Sequence, residues 1–194
     1  MNSPLLMGID IGTYESKGVI MDRNSGILAA SAVPHEMEIP QPGYAEHDAE
    51  KTWWHDFCQI SRDLIKKSGV NSSDIAAVGC STIAPCCLPV DSNMRPLRKA
   101  ILYGIDVRAH REIAFLEDHY GREEIFRRCG TAVSSQSAAA KLLWIKNNEP
   151  DIYAKTAKFV TGATYLTAKL TGNYVIDRYT AATWVPVYDI KKAD

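Results

Sequence analysis

The sequence predicts an α/β domain with a mixed sheet that opens with three antiparallel strands and carries helices on its faces. Three observations predict it. Residues 7–22 run apolar, turn sharply at a glycine and run apolar again, which is the pattern of a hairpin. Asn24-Ser25-Gly26 makes a second turn into a third extended run. An amphipathic helical stretch and a short apolar run follow, so the sheet can grow beyond its opening meander.

The first hairpin spans Met7 to Asp22, and Ile27 to Met37 supplies the third strand, with Pro34 marking an edge or a break. A Pro/Gly loop, Ile39 to Glu46, leads to a helix from Ala49 to Lys67. Asp48 suits its N-cap and Glu50 its positive start. Trp53, Phe57, Ile60 and Leu64 form one apolar face, and Gly69 ends the helix. Ile75 to Thr82 then reads as a buried strand and Cys86 to Val90 as another short one. Leu97 to Tyr103 leads into a helix that begins near Arg108 and carries Ile113, Phe115 and Leu116. Further helices are expected over Gly121–Cys129, Ala138–Asn147 (stopped by Pro150), Asp151–Ala157 and Ala163–Leu170, the last capped by Gly172. A short strand is expected at Phe159–Thr161, a helical turn at Asp177–Thr183 and an extended segment at Trp184–Ile190.

With 46% apolar and 23% charged residues, a chain of 194 residues can bury a core. A net charge of −1 and a pI near 6.5 give no field for nucleic acid or an anionic membrane. No apolar run is long enough to span a bilayer, and MNSPLLMGID lacks the basic start of a signal peptide. The expected location is the cytoplasm. The five cysteines are odd in number and form no CxxC, so reduced and mostly buried thiols are expected. His47 and His55 do not form an HExxH site, and no histidine metal centre is expected.

The chemistry concentrates in Asp10-Ile11-Gly12-Thr13. An aspartate inside an apolar strand needs a cation, N–H groups or a ligand. Gly12 permits close approach of the main chain, and Thr13, Ser16 and Lys17 add hydroxyls and an ammonium. These groups suit a phosphate chain carrying Mg²⁺. The alternative is an Asp and a Thr that satisfy a tight turn. GxxxxGK[ST] and GxGxxG are both absent.

The DxGT hairpin resembles that of the FGGY carbohydrate kinases, xylulokinase-like members of the actin/hexokinase/Hsp70 superfamily. Further stretches carry the resemblance in order along nearly the whole chain. Residues 42–48 (PGYAEHD) with Trp53-Trp54 resemble PGWxEQDPxxWW, and 96–103 (PLRKAILY) resemble RPLRPAILW. Asp106 and Arg108 fall at W-x-D-x-R, 141–150 (KLLWIKNNEP) match KLLWLKENEP, and Asp177 to Asp189 resembles SDxSNASxTxLxD.

The resemblance implies a ribonuclease-H-like, actin-like ATPase domain and ATP-dependent phosphorylation of a ketose or polyol. It implies ATP phosphates at Asp10, Gly12, Thr13 and Lys17, with Mg²⁺ oriented by Asp10, usually through water. It also implies a sugar against Thr82, Ile83 and Ala84 and against Asp106 and Arg108. Where xylulokinases carry Met-His-Gly this chain has Ile83-Ala84-Pro85, and Tyr103-Gly104-Ile105 replaces the usual Trp-Asn dipeptide. Both changes point to another pentulose, a hexulose or a polyol. In such kinases the general base lies late in the first domain and the adenosine elements lie mostly in the second. Residues 1–194 therefore read as an N-terminal sugar-binding domain, cut short at its C-terminal end, without the ATP-closing domain and inactive alone. A homodimer of a longer parent is compatible with this reading. The rival from another class is a non-catalytic nucleotide or sugar sensor on the same fold, and a weaker one is an actin-like filament or chaperone ATPase.

Overall fold

The structure, a computed structural model, describes residues 4–24 and 26–193. Ser25 of the expected second turn lies outside the described residues. The chain divides into two compact units, one of residues 4–37 with 49–83 and one of residues 38–48 with 84–193.

The first unit is a four-stranded sheet in the order β3-β2-β1-β4, where β1 is Leu5–Ile11, β2 Glu15–Asp22, β3 Gly26–Pro34 and β4 Ile75–Thr82. The first three strands form the expected antiparallel meander, and β4 joins β1 in parallel. Alternation buries Leu5, Met7, Ile9 and Ile11 on one face of β1. The helix α1, His55–Ser68, lies on that side and buries Phe57, Ile60 and Leu64, with Trp53 fully buried just before it. Its fit is set by Gly18 of β2, where a Cβ would come within 2.5 Å of Ile60. Gly69 ends α1 in the left-handed conformation, and its N–H donates to the Ile65 carbonyl.

Three expectations change here. The first turn of the expected helix, Ala49–Trp54, is wound as a π-helix. The strand at Ile75–Thr82 is not buried, since every one of its residues is exposed or half-buried. It ends the sheet order, and Ala76, Ala77 and Gly79 offer little side chain to pack. Pro34, which has no N–H for the ladder, is the last residue of β3, so the strand stops short of Met37.

The second unit is mainly helical. A short antiparallel pair joins β5, Leu88–Val90, to β6, Lys158–Val160, and Glu46–His47 pair with Ala100–Ile101. The helices are α2 His110–Tyr120, α3 Arg122–Cys129, α4 Ala138–Asn148, α5 Pro150–Lys155, α6 Gly162–Thr171 and α7 Arg178–Ala181. Pro150 occupies the start of α5, where a missing N–H is harmless. The Thr161 side chain caps α6, and Asp177 caps α7 by accepting the Thr180 N–H at 2.8 Å. Ala109, Leu116, Ile125, Cys129, Val133, Ala140 and Val185 form one core cluster, and Cys87, Ile101 and Ile145 form another. The segment after Trp184 is not extended: the N–H groups of Val187 and Tyr188 both turn back to the Trp184 carbonyl. No helix among the described residues is long and apolar enough to cross a membrane.

Candidate functional site

The turn between β1 and β2 is closed by the Gly12 N–H, which donates to the Glu15 carbonyl at 3.1 Å. A Cβ on Gly12 would sit 2.6 Å from that oxygen, so the turn requires glycine. Asp10 lies two residues earlier, on the face of β1 opposite Ile9 and Ile11, and is exposed. The expectation of a buried strand charge is corrected by this alternation. Its partner is a residue that the sequence reading did not single out: the Ser81 hydroxyl donates to Asp10 Oδ1. Ser81 faces Asp10 across the parallel β1–β4 pair, as Lys17 does across β1–β2.

Lys17 Nζ lies 2.9 Å from Glu15 Oε2, and both side chains are exposed. The Glu15 hydrogen bond and charge, with a smaller pull from Asp10, raise the Lys17 pKa. Asp10, Lys17 and Ser81 edge a cleft of about 530 Å³. Its floor is bare where Gly8 and Gly79 stand in register. Thr82 is level with Ile11 at the end of β4, and the Ile83 N–H donates to the Ile11 carbonyl at 2.8 Å. The first unit thus gathers Asp10, Gly12, Thr13, Lys17, Thr82 and Ile83. Ala84, Asp106 and Arg108 belong to the second.

This donor set can be tested against a metal nucleotide. Among the described residues no group of three or more His, Cys, Asp or Glu could cage a cation. The exposed Asp10 carboxylate beside hydroxyls and an ammonium fits Mg²⁺ that is carried largely by phosphates and water. The residues present fit ATP phosphates with Mg²⁺.

In the second unit Asp106 and Arg108 are buried and engage each other. Arg108 Nε lies 3.0 Å from both Asp106 oxygens, and Nη2 lies 2.7 Å from Oδ2. Asp106 Oδ2 also accepts the Ala45 N–H at 2.7 Å. Arg108 Nη1 reaches Glu46 Oε1 at 2.7 Å, and Glu46 also pairs with Arg98. The guanidinium lies 3.9 Å from the Tyr44 ring centroid and 4.9 Å from that of Trp144. Lys141 is buried nearby and donates to the Ser135 carbonyl. Burial lowers its pKa, against an opposing pull from Asp106. The cluster ties PGYAEHD, the Asp-x-Arg pair and KLLWIKNNEP into one body, and it engages both carboxylate oxygens of Asp106.

The FGGY family of carbohydrate kinases, N-terminal domain, matches residues 5–194. A glycerol kinase of Thermococcus onnurineus is 28% identical over 193 residues, covering 97% of this chain and 38% of the relative. The crystal structure of xylulose kinase from Rhodospirillum rubrum superposes with a TM-score of 0.86 at 26% identity, over 93% of this chain and 36% of that one. Plasmodium falciparum glycerol kinase with ADP shares the fold, with a TM-score of 0.87 at 23% identity, over 100% of this chain and 40% of that one. The chain therefore spans about two fifths of the length of such relatives.

Proposed function

Because the chain belongs to the FGGY family of carbohydrate kinases, we propose that it forms the N-terminal, sugar-binding part of an enzyme that transfers a phosphoryl group from ATP to a hydroxyl of a small ketose or polyol. The observation that carries the reading is the Asp10 carboxylate, held by Ser81 on an open sheet face beside a turn that only glycine can make.

In this reading Asp10 orients Mg²⁺, while Gly12 and Thr13 take the ATP phosphates. Lys17 adds positive charge beside them, steadied by Glu15. Bound Mg²⁺ would neutralise charge on the transferring phosphoryl group. Thr82, Ile83 and Ala84 face the sugar. Asp106 and Arg108 serve the sugar side, where they fix Ala45 and stack Tyr44, and the guanidinium N–H groups not spent on Asp106 and Glu46 can donate to a sugar hydroxyl. Ile83-Ala84-Pro85 and Tyr103-Gly104-Ile105 favour a substrate other than D-xylulose. The general base and the adenosine contacts are assigned to the part of the relatives' length that this chain does not span, so the chain alone is expected not to turn over. An ATP-dependent reaction on a small sugar supports a cytoplasmic location.

Thermal-shift titration of the 194-residue chain with a panel of ketoses and polyols, glycerol and D-xylulose included, tests the reading. At least one sugar is expected to raise the midpoint. MgATP should raise it in the wild type but not in Asp10→Ala, which should keep its sugar response. The reading fails if neither any sugar nor MgATP moves the midpoint. Sugar-dependent turnover in a coupled assay would overturn the assignment of the base. Binding without turnover by a full-length chain as well would instead mark a sensor.

A further inference from the structure

Behind the phosphate turn lies a polar cluster that no part of the proposed reaction uses. His35 follows the end of β3 and its side chain is 9% exposed; Asp56 in the first turn of α1 is 4% exposed. His35 Nδ1 lies 2.8 Å from Asp56 Oδ2, which also accepts the Ser16 hydroxyl at 2.8 Å. Ser16 Oγ is 3.5 Å from the same ring nitrogen, and His55 Nδ1 is 3.3 Å from Asp56 Oδ1. The other ring nitrogen, Nε2, lies 3.1 Å from the Gly12 carbonyl oxygen. A carbonyl can only accept, so Nε2 is the donor there. The main-chain N–H of His35 donates to the Tyr14 carbonyl at 2.9 Å. One residue therefore holds the Gly12 and Tyr14 carbonyls, one on each side of Thr13 in the proposed phosphate turn.

We propose that His35 is a positioning residue that latches the phosphate turn, with Asp56 and Ser16 holding the latch itself. The inference rests on the phosphate reading given above. Its physical basis is the planar trans peptide, in which C=O and N–H point in opposite directions. Holding the Gly12 carbonyl toward His35 fixes the direction of the Thr13 N–H, which shares its peptide plane. Preorganised N–H groups bind a phosphate without first giving up freedom, so the latch supplies nucleotide affinity from a residue that never touches the nucleotide. Asp56 fixes the ring's orientation from the helix side, as a buried carboxylate does for a histidine whose second nitrogen has work to do.

Two variants separate this role from simple filling of the cluster. His35→Gln can reach Gly12 with its amide but leaves Asp56, whereas His35→Asn keeps a donor for Asp56 and loses Gly12. Each is compared with wild type and His35→Ala in affinity for inorganic tripolyphosphate and MgATP, and in amide hydrogen exchange of Gly12 and His35. His35→Ala and His35→Asn should weaken binding about tenfold and speed exchange of the Gly12 N–H, as expected for one lost hydrogen bond to a rigid turn. His35→Gln should stay within about threefold of wild type. The reverse order, with Asn retained and Gln lost, overturns the latch and makes His35 a partner for Asp56 alone. Equal behaviour of all variants also overturns it. If the wild-type chain binds neither ligand, the phosphate reading falls instead, and the latch is judged on exchange alone: slow in wild type and Gln, fast in Asn and Ala. Should His35→Ala not fold, the Gln and Asn pair still decides.

Discussion

Arg108 shows how much a single side chain can hold. Its fork takes both oxygens of Asp106 and one of Glu46, and its flat face lies against Tyr44 and Trp144. Removing one partner of a buried pair leaves the other charge uncompensated, at a cost of about 3–5 kcal/mol. Arg108→Ala is expected to lower stability by that amount in urea denaturation; a loss below about 1 kcal/mol would mean that the cluster is worth no more than a surface pair. The neighbouring thiols give a pH-dependent prediction. Burial pushes both Cys86 and Cys87 up to about 12 from the ordinary thiol value of 9.0, against the opposing charge of Lys141. The folded-state values are raised, so the stability these thiols contribute is fully present below the unfolded value of 9.0. It is lost as pH rises from there through about 12. A Cys86→Ala/Cys87→Ala variant should show a shallower alkaline loss over that window by urea midpoints, and an unchanged slope would contradict the burial.

At the scale of elements, the seat of α1 on the sheet depends on the absence of a side chain at Gly18. A Cβ there would press within 2.5 Å of Ile60 and 3.1 Å of Leu64, both fully buried. Gly18→Val should therefore cost about 1–3 kcal/mol through overpacking, read as a lower urea midpoint with an unchanged slope. The face of α1 was legible in the sequence, because Trp53, Phe57, Ile60 and Leu64 carry their spacing within one local run. The hairpin and the glycine stop at Gly69 were legible for the same reason. The partner of Asp10 was not, because Ser81 lies 71 residues away and reaches it only through the register of a parallel pair. The exposure of β4 was hidden too, since an apolar run does not say whether its strand ends the sheet. His35 and Asp56 were invisible as a pair: 21 residues apart, one follows a strand and one sits in a helix. The segment after Trp184 looked extended because its apolar residues have no helical period, yet main-chain bonds to Trp184 fold it into turns.

At the scale of the whole molecule, the family and the order of its motifs were legible, because five stretches fall in sequence across nearly the whole chain. The surface was less so. On the sheet face away from α1, Leu6, Met21 and Ile27 stand in one cross-strand row, with exposures of 38%, 37% and 66%. With a net charge of −1, little repulsion keeps such rows apart. Replacing Met21 by Thr and Ile27 by Lys should raise solubility near pH 6.5 and reduce binding of an apolar dye, with little change in the unfolding midpoint. No gain in solubility would show that the row is not the adhesive surface. The division into two units has a different consequence, for inheritance rather than for stability. Residues 38–48 leave the first unit, join the second, and hand the chain back before α1. The chain passes from one unit to the other three times, so no single breakpoint in the gene separates them. A crossover between relatives near residue 83 would exchange the Asp106–Arg108 half while leaving Tyr44, Ala45 and Glu46 behind. Variation in PGYAEHD and in the Asp-x-Arg pair must therefore be inherited as a matched set or repaired together.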